Sequence, residues 1–140
     1  MTWTSGNASD ALRTKIDEAS KRLKDLEAGA KSNGQKAKTD AKAYLASLEE
    51  KMKNQRAKLE ASKTNAKAWV QQKMTDADSK IAEWKAKREV KKISNYADGA
   101  ETYAAASMDI ASAAIDEAER ATVEAIVARI DAKAAQAQNA

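Results

Sequence analysis

Apolar residues recur along the first part of the chain at alternating intervals of four and three. They are Leu12, Ile16, Ala19, Leu23, Leu26 and Ala30. This spacing lines one face of an α-helix, and Asn7 or Ser9 can cap its N-terminus. Gly29 and Gly34 bracket the segment "GAKSNG", the densest cluster of helix-breaking residues in the chain. The pattern therefore predicts a first helix over residues 8–29.

A second apolar stripe follows, and neither Gly nor Pro interrupts it over residues 35–92. Its members are Ala41, Leu45, Leu48, Met52, Leu59, Ala66, Val70, Met74, Ala77, Ile81 and Trp84. The span from Ala41 to Trp84 fits a step of about 3.6 residues, which is the period of a straight α-helix. We therefore expect one long central helix over 35–92.

Two eight-residue segments of this central helix are nearly identical. "KTDAKAYL" begins at Lys38 and "KTNAKAWV" begins at Lys63. Their separation is about seven helical turns, so Tyr44 and Trp69 are expected on nearly the same side. The weakest point of the central helix is Thr75, which can cap a new helix start and would then divide it.

Gly99 ends a second breaker segment, "SNYADG" at 94–99, which predicts a connection there. The most apolar part of the chain follows and predicts a third helix over 100–136. Ala and Ser surround its large apolar residues, so its apolar surface is wider than one stripe. These large residues are Tyr103, Met108, Ile110, Ile115, Ile126 and Ile130.

These elements predict a single all-α domain of long antiparallel hairpins of the coiled-coil type. Each end helix is expected to fold back along its own half of the central helix, which leaves much of the apolar stripe in water. We expect a second copy to cover the stripe in an antiparallel homodimer with a four-helix cross-section. A break near Thr75 would favour a monomeric four-helix bundle instead. The predicted oligomer core is Leu45, Leu48, Met52, Leu59, Val70, Ile81, Tyr103, Ile110, Ile115 and Ile126.

The composition supports the helical interpretation and excludes several kinds of site. The 140 residues include no Pro, Cys, His or Phe, and 33% are charged, as is typical of long helices. The absence of Cys and His excludes disulfides, thiolate chemistry and imidazole bases. The start "MTWTSGNASD" does not resemble a signal peptide, and no apolar run approaches about 18 residues. We expect a soluble, cytoplasmic protein.

Charge is segregated along the chain. Residues 35–92 carry 16 basic and 8 acidic groups, whereas residues 93–140 carry 3 and 8. The simplest expectation is that the two segments attract each other as packed antiparallel helices; the alternative is that the basic segment faces an external anion. The candidate interaction face consists of Lys38, Lys42, Lys63, Lys67, Trp69, Trp84, Lys87, Arg88, Lys91 and Lys92. For its two tryptophans, packing is the favoured role.

The remaining candidates for chemistry are acidic. Asp109, Asp116 and Glu124 recur at intervals of seven and eight, so they share one side of the third predicted helix. We interpret them as a solvated row or as partners of basic neighbours. The row is expected to lie opposite a seam of Ser107, Ala111, Ala114 and Ala118. A calcium loop beginning at Asp76 is rejected because Lys80 stands at a ligand position. No catalytic, cofactor or metal site is predicted, and we expect no enzymatic activity.

Residues 84–132 resemble the C-terminal half of short Ala/Lys/Glu-rich coiled-coil proteins that are encoded in many bacterial genomes, usually without an assigned function. The run "AIDEAE" at 114–119 is the most specific part of this resemblance. There is a looser similarity in composition to granule-coating phasins and to stress-related helical proteins. The resemblance implies a bacterial helical protein and transfers no catalytic residue.

Three functions are compatible with these features. The leading hypothesis is a non-catalytic scaffold that associates with itself and with a protein partner through extended helical faces. The alternative is a peripheral protein that lays an amphipathic face on an anionic lipid or storage-granule surface. The third is a weak, salt-sensitive nucleic-acid binder, which the few arginines and the absence of a reading motif make unlikely.

Overall fold

The computed structural model describes residues 4–72 and 77–138, and the all-α prediction is confirmed there. Five helices account for nearly all of these residues. They are α1 (Ser5–Ser32), α2 (Gly34–Asn54), α3 (Arg56–Gln72), α4 (Ala77–Ala86) and α5 (Val90–Gln138). Among these helices, none combines the length and apolarity needed to cross a membrane. Trp3, the one tryptophan of the sequence outside the candidate interaction face, lies outside the described residues.

The first connection is a single residue, Asn33, within the predicted breaker segment. Its backbone is extended, its side chain accepts from the Lys36 N–H, and its own N–H donates to the Gly29 carbonyl. One Asn therefore caps the end of α1 and the start of α2. At the other end of α1, the cap is Thr4 and not Asn7 or Ser9, because the Thr4 hydroxyl accepts from the Asn7 N–H.

The prediction of one unbroken central helix over 35–92 is wrong. Gln55 separates α2 from α3, although the interruption is slight, because Gln55 N–H donates to the Lys51 carbonyl and Leu59 N–H donates to the Gln55 carbonyl. The chain is again helical from Ala77, but only to Ala86. The predicted cap at Thr75 lies outside the described residues.

The chain reverses at 87–89, where neither Gly nor Pro marks the sequence. Arg88 has a positive φ of 57°, Glu89 N–H donates to the Trp84 carbonyl, and Arg88 N–H donates to the Lys85 carbonyl. This pair of bonds is the Schellman termination, in which a left-handed residue closes the helix end. An arginine here occupies a position that usually selects glycine.

The connection predicted at 94–99 is also wrong, because α5 passes through it as a regular helix. Gly99 does not have a positive φ. Gly99 instead lets the Trp69 side chain approach the helix backbone closely, because a Cβ on Gly99 would lie 2.5 Å from Cζ3 of Trp69. Glycine therefore allows the Trp69 ring of α3 to lie directly against the α5 backbone.

The longest helix is α5, with 49 residues and a length of about 73 Å, and every other helix packs against it. α1 runs parallel to α5, since Lys15 pairs with Asp116 and Arg22 with Glu119. α1 also packs against α2. The part of the molecule that contains α1, α2 and the C-terminal half of α5 is therefore a three-helix section.

The remaining helices run antiparallel to α5. Lys51 of α2 pairs with Asp116, and Trp69 of α3 packs near Tyr103. Trp84 of α4 lies beside Tyr96, close to the start of α5. α3 and α4 thus form a two-helix section with the N-terminal half of α5, where the structure places no third helix among the described residues.

The buried apolar core is small and lies mostly in the three-helix section. It consists of Ala19, Ala37, Ala41, Leu48, Ala106, Val123 and Ile130. Four of these seven are alanines, so the core is made largely by close helix approach. Gly34 contributes in the same way, since a Cβ there would lie 3.4 Å from Cγ2 of Ile130.

Candidate interaction face

Two carboxylates are buried between the helices of the three-helix section. Asp116 is 2% exposed, and its Oδ1 lies 2.9 Å from Nζ of Lys15 and 3.6 Å from Nζ of Lys51. It therefore connects α1 and α2 to α5. The interpretation of the acidic row as solvated is wrong for Asp116, and its role as the partner of basic neighbours is confirmed. Glu124 stays exposed.

The alanine seam that was expected opposite this row is not buried. Ser107 and Ala111 are half-buried, and Ala114 and Ala118 are exposed. The physical reason is that α1 and α2 carry lysines and an arginine to α5, so the packed side of α5 is acidic. A buried carboxylate is tolerated where such cations compensate its lost hydration.

Glu119 is the second buried carboxylate, one helical turn beyond Asp116, and the sequence reasoning missed it. It is 2% exposed, and its Oε2 accepts from Nε of Arg22 at 3.1 Å. The Arg22 guanidinium also lies over the ring of Tyr44, 5.3 Å from its centroid. Partial burial raises the pKa of the Tyr44 phenol to about 12, and Glu119 acts in the same direction. The hydrogen bond to Glu119 raises the pKa of Arg22.

Opposite charges join the basic α2 and α3 to the acidic α5, as the segregation of charge predicts. Lys38 pairs with Asp131 at 2.6 Å. Lys58 lies 3.6 Å from Asp109, whose other oxygen accepts from the buried hydroxyl of Ser62 at 2.9 Å. The attraction between antiparallel basic and acidic segments is confirmed. In the described ranges, no group of three or more acidic side chains is placed to hold a metal ion.

The two tryptophans of the candidate interaction face pack within the two-helix section. The Trp69 ring stacks on Tyr103 with centroids 6.1 Å apart and tilts against Tyr96 at 5.5 Å. Trp84 meets Tyr96 edge-on at 6.5 Å. The packing role expected for both tryptophans is confirmed, and the rings are half-buried against α5.

The cations of the candidate interaction face do not share one environment. Lys38 is half-buried in its pair with Asp131, and Arg88 forms the turn before α5. Lys87 pairs with Glu83, and this hydrogen bond raises the pKa of Lys87. The other members are exposed; they are Lys42, Lys63, Lys67, Lys91 and Lys92.

The repeated segments reveal where the apolar stripe is uncovered. Tyr44 and Trp69 both pack toward α5, although they lie in two different helices and not on one unbroken helix as predicted. The next residue of each repeat differs in burial: Leu45 is half-buried in the three-helix section, whereas Val70 is 58% exposed. The same position of the repeat is thus less exposed in α2 than in α3.

An open groove of about 480 Å³ lies between the α2–α3 junction and α5, where the three-helix section meets the two-helix section. Its apolar lining comes from Met52, Leu59, Ile110, Ala113 and Ala114. Val70 follows Leu59 by about three turns, so it extends the same stripe along α3. We call these six residues the uncovered face. Four of them are half-buried, while Val70 and Ala114 are exposed.

The predicted oligomer core is only partly buried within one chain. Leu48 is buried and Val70 is exposed. The other eight are half-buried: Leu45, Met52, Leu59, Ile81, Tyr103, Ile110, Ile115 and Ile126. Ile126 lines a second groove, between α1, the start of α2 and the end of α5. Their role in an oligomer stays a prediction.

No family model, no curated protein and no solved structure matches the chain. The resemblance to bacterial Ala/Lys/Glu-rich coiled-coil proteins stays a prediction. A functional assignment therefore rests on the geometry of this chain.

Proposed function

We propose that the protein is a non-catalytic, cytoplasmic helical scaffold that associates with a second copy and offers extended helical surfaces to a protein partner. The observation that carries the proposal is the two-helix section, in which apolar residues of the stripe remain in water. A helix pair with one covered side is a partial bundle, and a further helix pair completes it.

The accessible surface supports this proposal. A compact monomer of 15.1 kDa exposes about 7,100 Å² by the scaling of surface with mass, whereas this chain exposes 9931 Å². The excess of roughly 2,800 Å² per chain is more than a standard interface buries on one partner, which is about 800 Å². The elongated shape and the uncovered apolar side chains both contribute to this excess.

The arrangement of the tryptophans disfavours the lipid or granule surface as the principal partner. An interfacial helix places its large aromatic residues on the membrane-facing side. Here Trp69 packs against α5 beside Gly99, and Trp84 packs against Tyr96. Nucleic acid is disfavoured because Lys38 and Lys58 are already engaged by carboxylates of α5.

Thermal unfolding at several protein concentrations tests the proposal. Because association stabilises the folded state by mass action, the midpoint Tm followed by circular dichroism should rise by about 2–4 °C for each tenfold increase in concentration. A Tm that is constant over a hundredfold range would argue against self-association. A gain in helicity only when anionic vesicles are added would instead favour the lipid alternative.

A further inference from the structure

We propose that the second copy binds on the uncovered face, and that the two-fold axis of the dimer runs along the helices. In this arrangement α3 of each copy lies on α5 of the other, and the two chains point in the same direction. The inference rests on the proposed self-association and specifies its surface and orientation. It replaces the antiparallel arrangement that the sequence alone suggests.

The uncovered face has the shape that a helix pair requires. Met52, Leu59 and Val70 follow one another at seven and eleven residues, which are close to whole numbers of turns, so they form a single line on one wall. Ile110 and Ala114 form the facing wall on α5. The groove between the two walls is where another helix can pack, and small residues at Ala113 and Ala114 allow close approach.

The two walls carry opposite charge. α3 contains four basic residues and one acidic residue, a net charge of +3, whereas residues 98–117 of α5 contain five acidic residues and no basic residue, a net charge of −5. Part of this charge is already paired within the chain, as in Lys58 with Asp109. The difference between the walls persists along the groove. The α3 wall carries Arg56, Lys58 and Lys63 with one acidic residue, Glu60, which lies 3.6 Å from Lys63, whereas the charged residues of the α5 wall are Asp109, Asp116 and Glu117.

This charge pattern distinguishes the two simple orientations. A two-fold axis perpendicular to the helices would stack α3 on α3 and α5 on α5, so that like charges meet along the whole interface. A two-fold axis parallel to the helices stacks the basic α3 of each copy on the acidic α5 of the other. Because juxtaposed like charges oppose association and complementary charges promote it, the parallel orientation is favoured. It also makes all neighbouring helices of the four-helix section antiparallel.

The face is tested by Ala114→Arg, with Ala11→Arg as the matched control. Both alanines are exposed on helices, and Ala11 lies on α1, away from the groove. Since Arg has nearly the helix propensity of Ala, neither substitution should unfold the chain, and circular dichroism checks this. In sedimentation velocity, Ala114→Arg should raise the dissociation constant of the dimer on the order of 10- to 100-fold, while Ala11→Arg should leave it unchanged.

The orientation is tested by a single spin label, because the sequence has no cysteine. Lys91→Cys places the label on an exposed position near the start of α5, about 22 residues and thus about 33 Å from the centre of the groove. The parallel dimer should bring the two labels within roughly 20–30 Å of each other, the width of a four-helix section. An antiparallel dimer would separate them by about 66 Å.

The outcomes separate this inference from the proposed function. A wild-type chain that sediments as a monomer at every concentration overturns both. A wild-type dimer that Ala114→Arg leaves intact overturns the uncovered face but keeps self-association. A dimer that Ala114→Arg weakens and that shows a label distance near 66 Å overturns the orientation alone. Weakening by Ala114→Arg together with a short label distance supports the whole inference.

Discussion

Gly99→Ala should destabilise the protein, although glycine is a poor helix former. In the interior of a helix, replacing Gly by Ala normally stabilises by about 1 kcal/mol. At Gly99 the new Cβ would lie 2.5 Å from Cζ3, 3.3 Å from Cε3 and 3.5 Å from Cη2 of Trp69. The ring cannot move away freely, because it packs on Tyr96 and Tyr103.

The expected magnitude follows from these opposing effects. Overpacking costs about 1–3 kcal/mol, and displacement of Trp69 also weakens aromatic contacts worth about 0.5–1.5 kcal/mol each. After subtraction of the gain in helix propensity, Gly99→Ala should lower the free energy of unfolding by about 1–2 kcal/mol. Gly29→Ala is the control, since its Cβ would meet only Cβ of Ala37 at 3.6 Å, and it should stabilise by about 1 kcal/mol.

Urea denaturation followed by circular dichroism measures both effects, at one fixed protein concentration so that association does not contribute. The two variants should shift the midpoint in opposite directions. Trp69→Leu in the Gly99→Ala background should remove most of the penalty, because the clash depends on the indole ring. If Gly99→Ala stabilises as much as Gly29→Ala does, Trp69 does not lie against α5 as described.

Three further predictions concern the turn before α5, the buried carboxylate of Asp116 and the phenol of Tyr44. Arg88→Gly should stabilise by about 1 kcal/mol in the same urea assay, because glycine adopts positive φ without steric cost; an unchanged or lower stability would contradict the left-handed turn. Asp116→Ala should destabilise by about 3 kcal/mol since it leaves Lys15 without its buried partner, whereas Glu124→Ala should change stability by less than about 0.5 kcal/mol; equal effects would refute the burial of Asp116. The pKa of Tyr44 is raised to about 12 from its ordinary 10, so the neutral phenol is favoured in the folded state and stability should fall as the pH rises through this window. Ultraviolet titration of phenolate should therefore show a component near pH 12 that Tyr44→Phe removes, and its persistence in that variant would contradict the assignment.

Features that depend on local chemistry could be predicted from the sequence. The lack of proline and the abundance of Ala, Lys and Glu predict helices, and the breaker segment around Asn33 correctly predicts the first connection. Charge segregation also predicts that the basic and acidic segments attract each other, and in the structure Lys38 and Lys58 pair with acidic residues of α5. The helices, the first connection and the charge pairing depend on backbone preferences and on long-range attraction between charges. Both can be inferred from the composition of the chain and from the order of its residues.

Features that depend on tertiary partners could not be predicted in the same way. Gly99 indicates a turn by composition, but its purpose is to admit Trp69, which lies 30 positions earlier in the chain. The actual turn uses Arg88, whose left-handed conformation is unfavourable locally and is retained because α4 and α5 pack together. The sequence pattern does not distinguish Asp116 from a solvated residue, because its partners Lys15 and Lys51 come from two other helices.

The mass of the wild-type protein in solution tests the central claim most directly. Light scattering after size exclusion, at low salt and at tens of micromolar protein, should give twice the chain mass of 15.1 kDa, which is about 30 kDa. It should fall toward the chain mass as salt is raised, because the opposing walls are held partly by charge. A mass of 15.1 kDa at every concentration and salt level would show that the uncovered face does not bind a second copy.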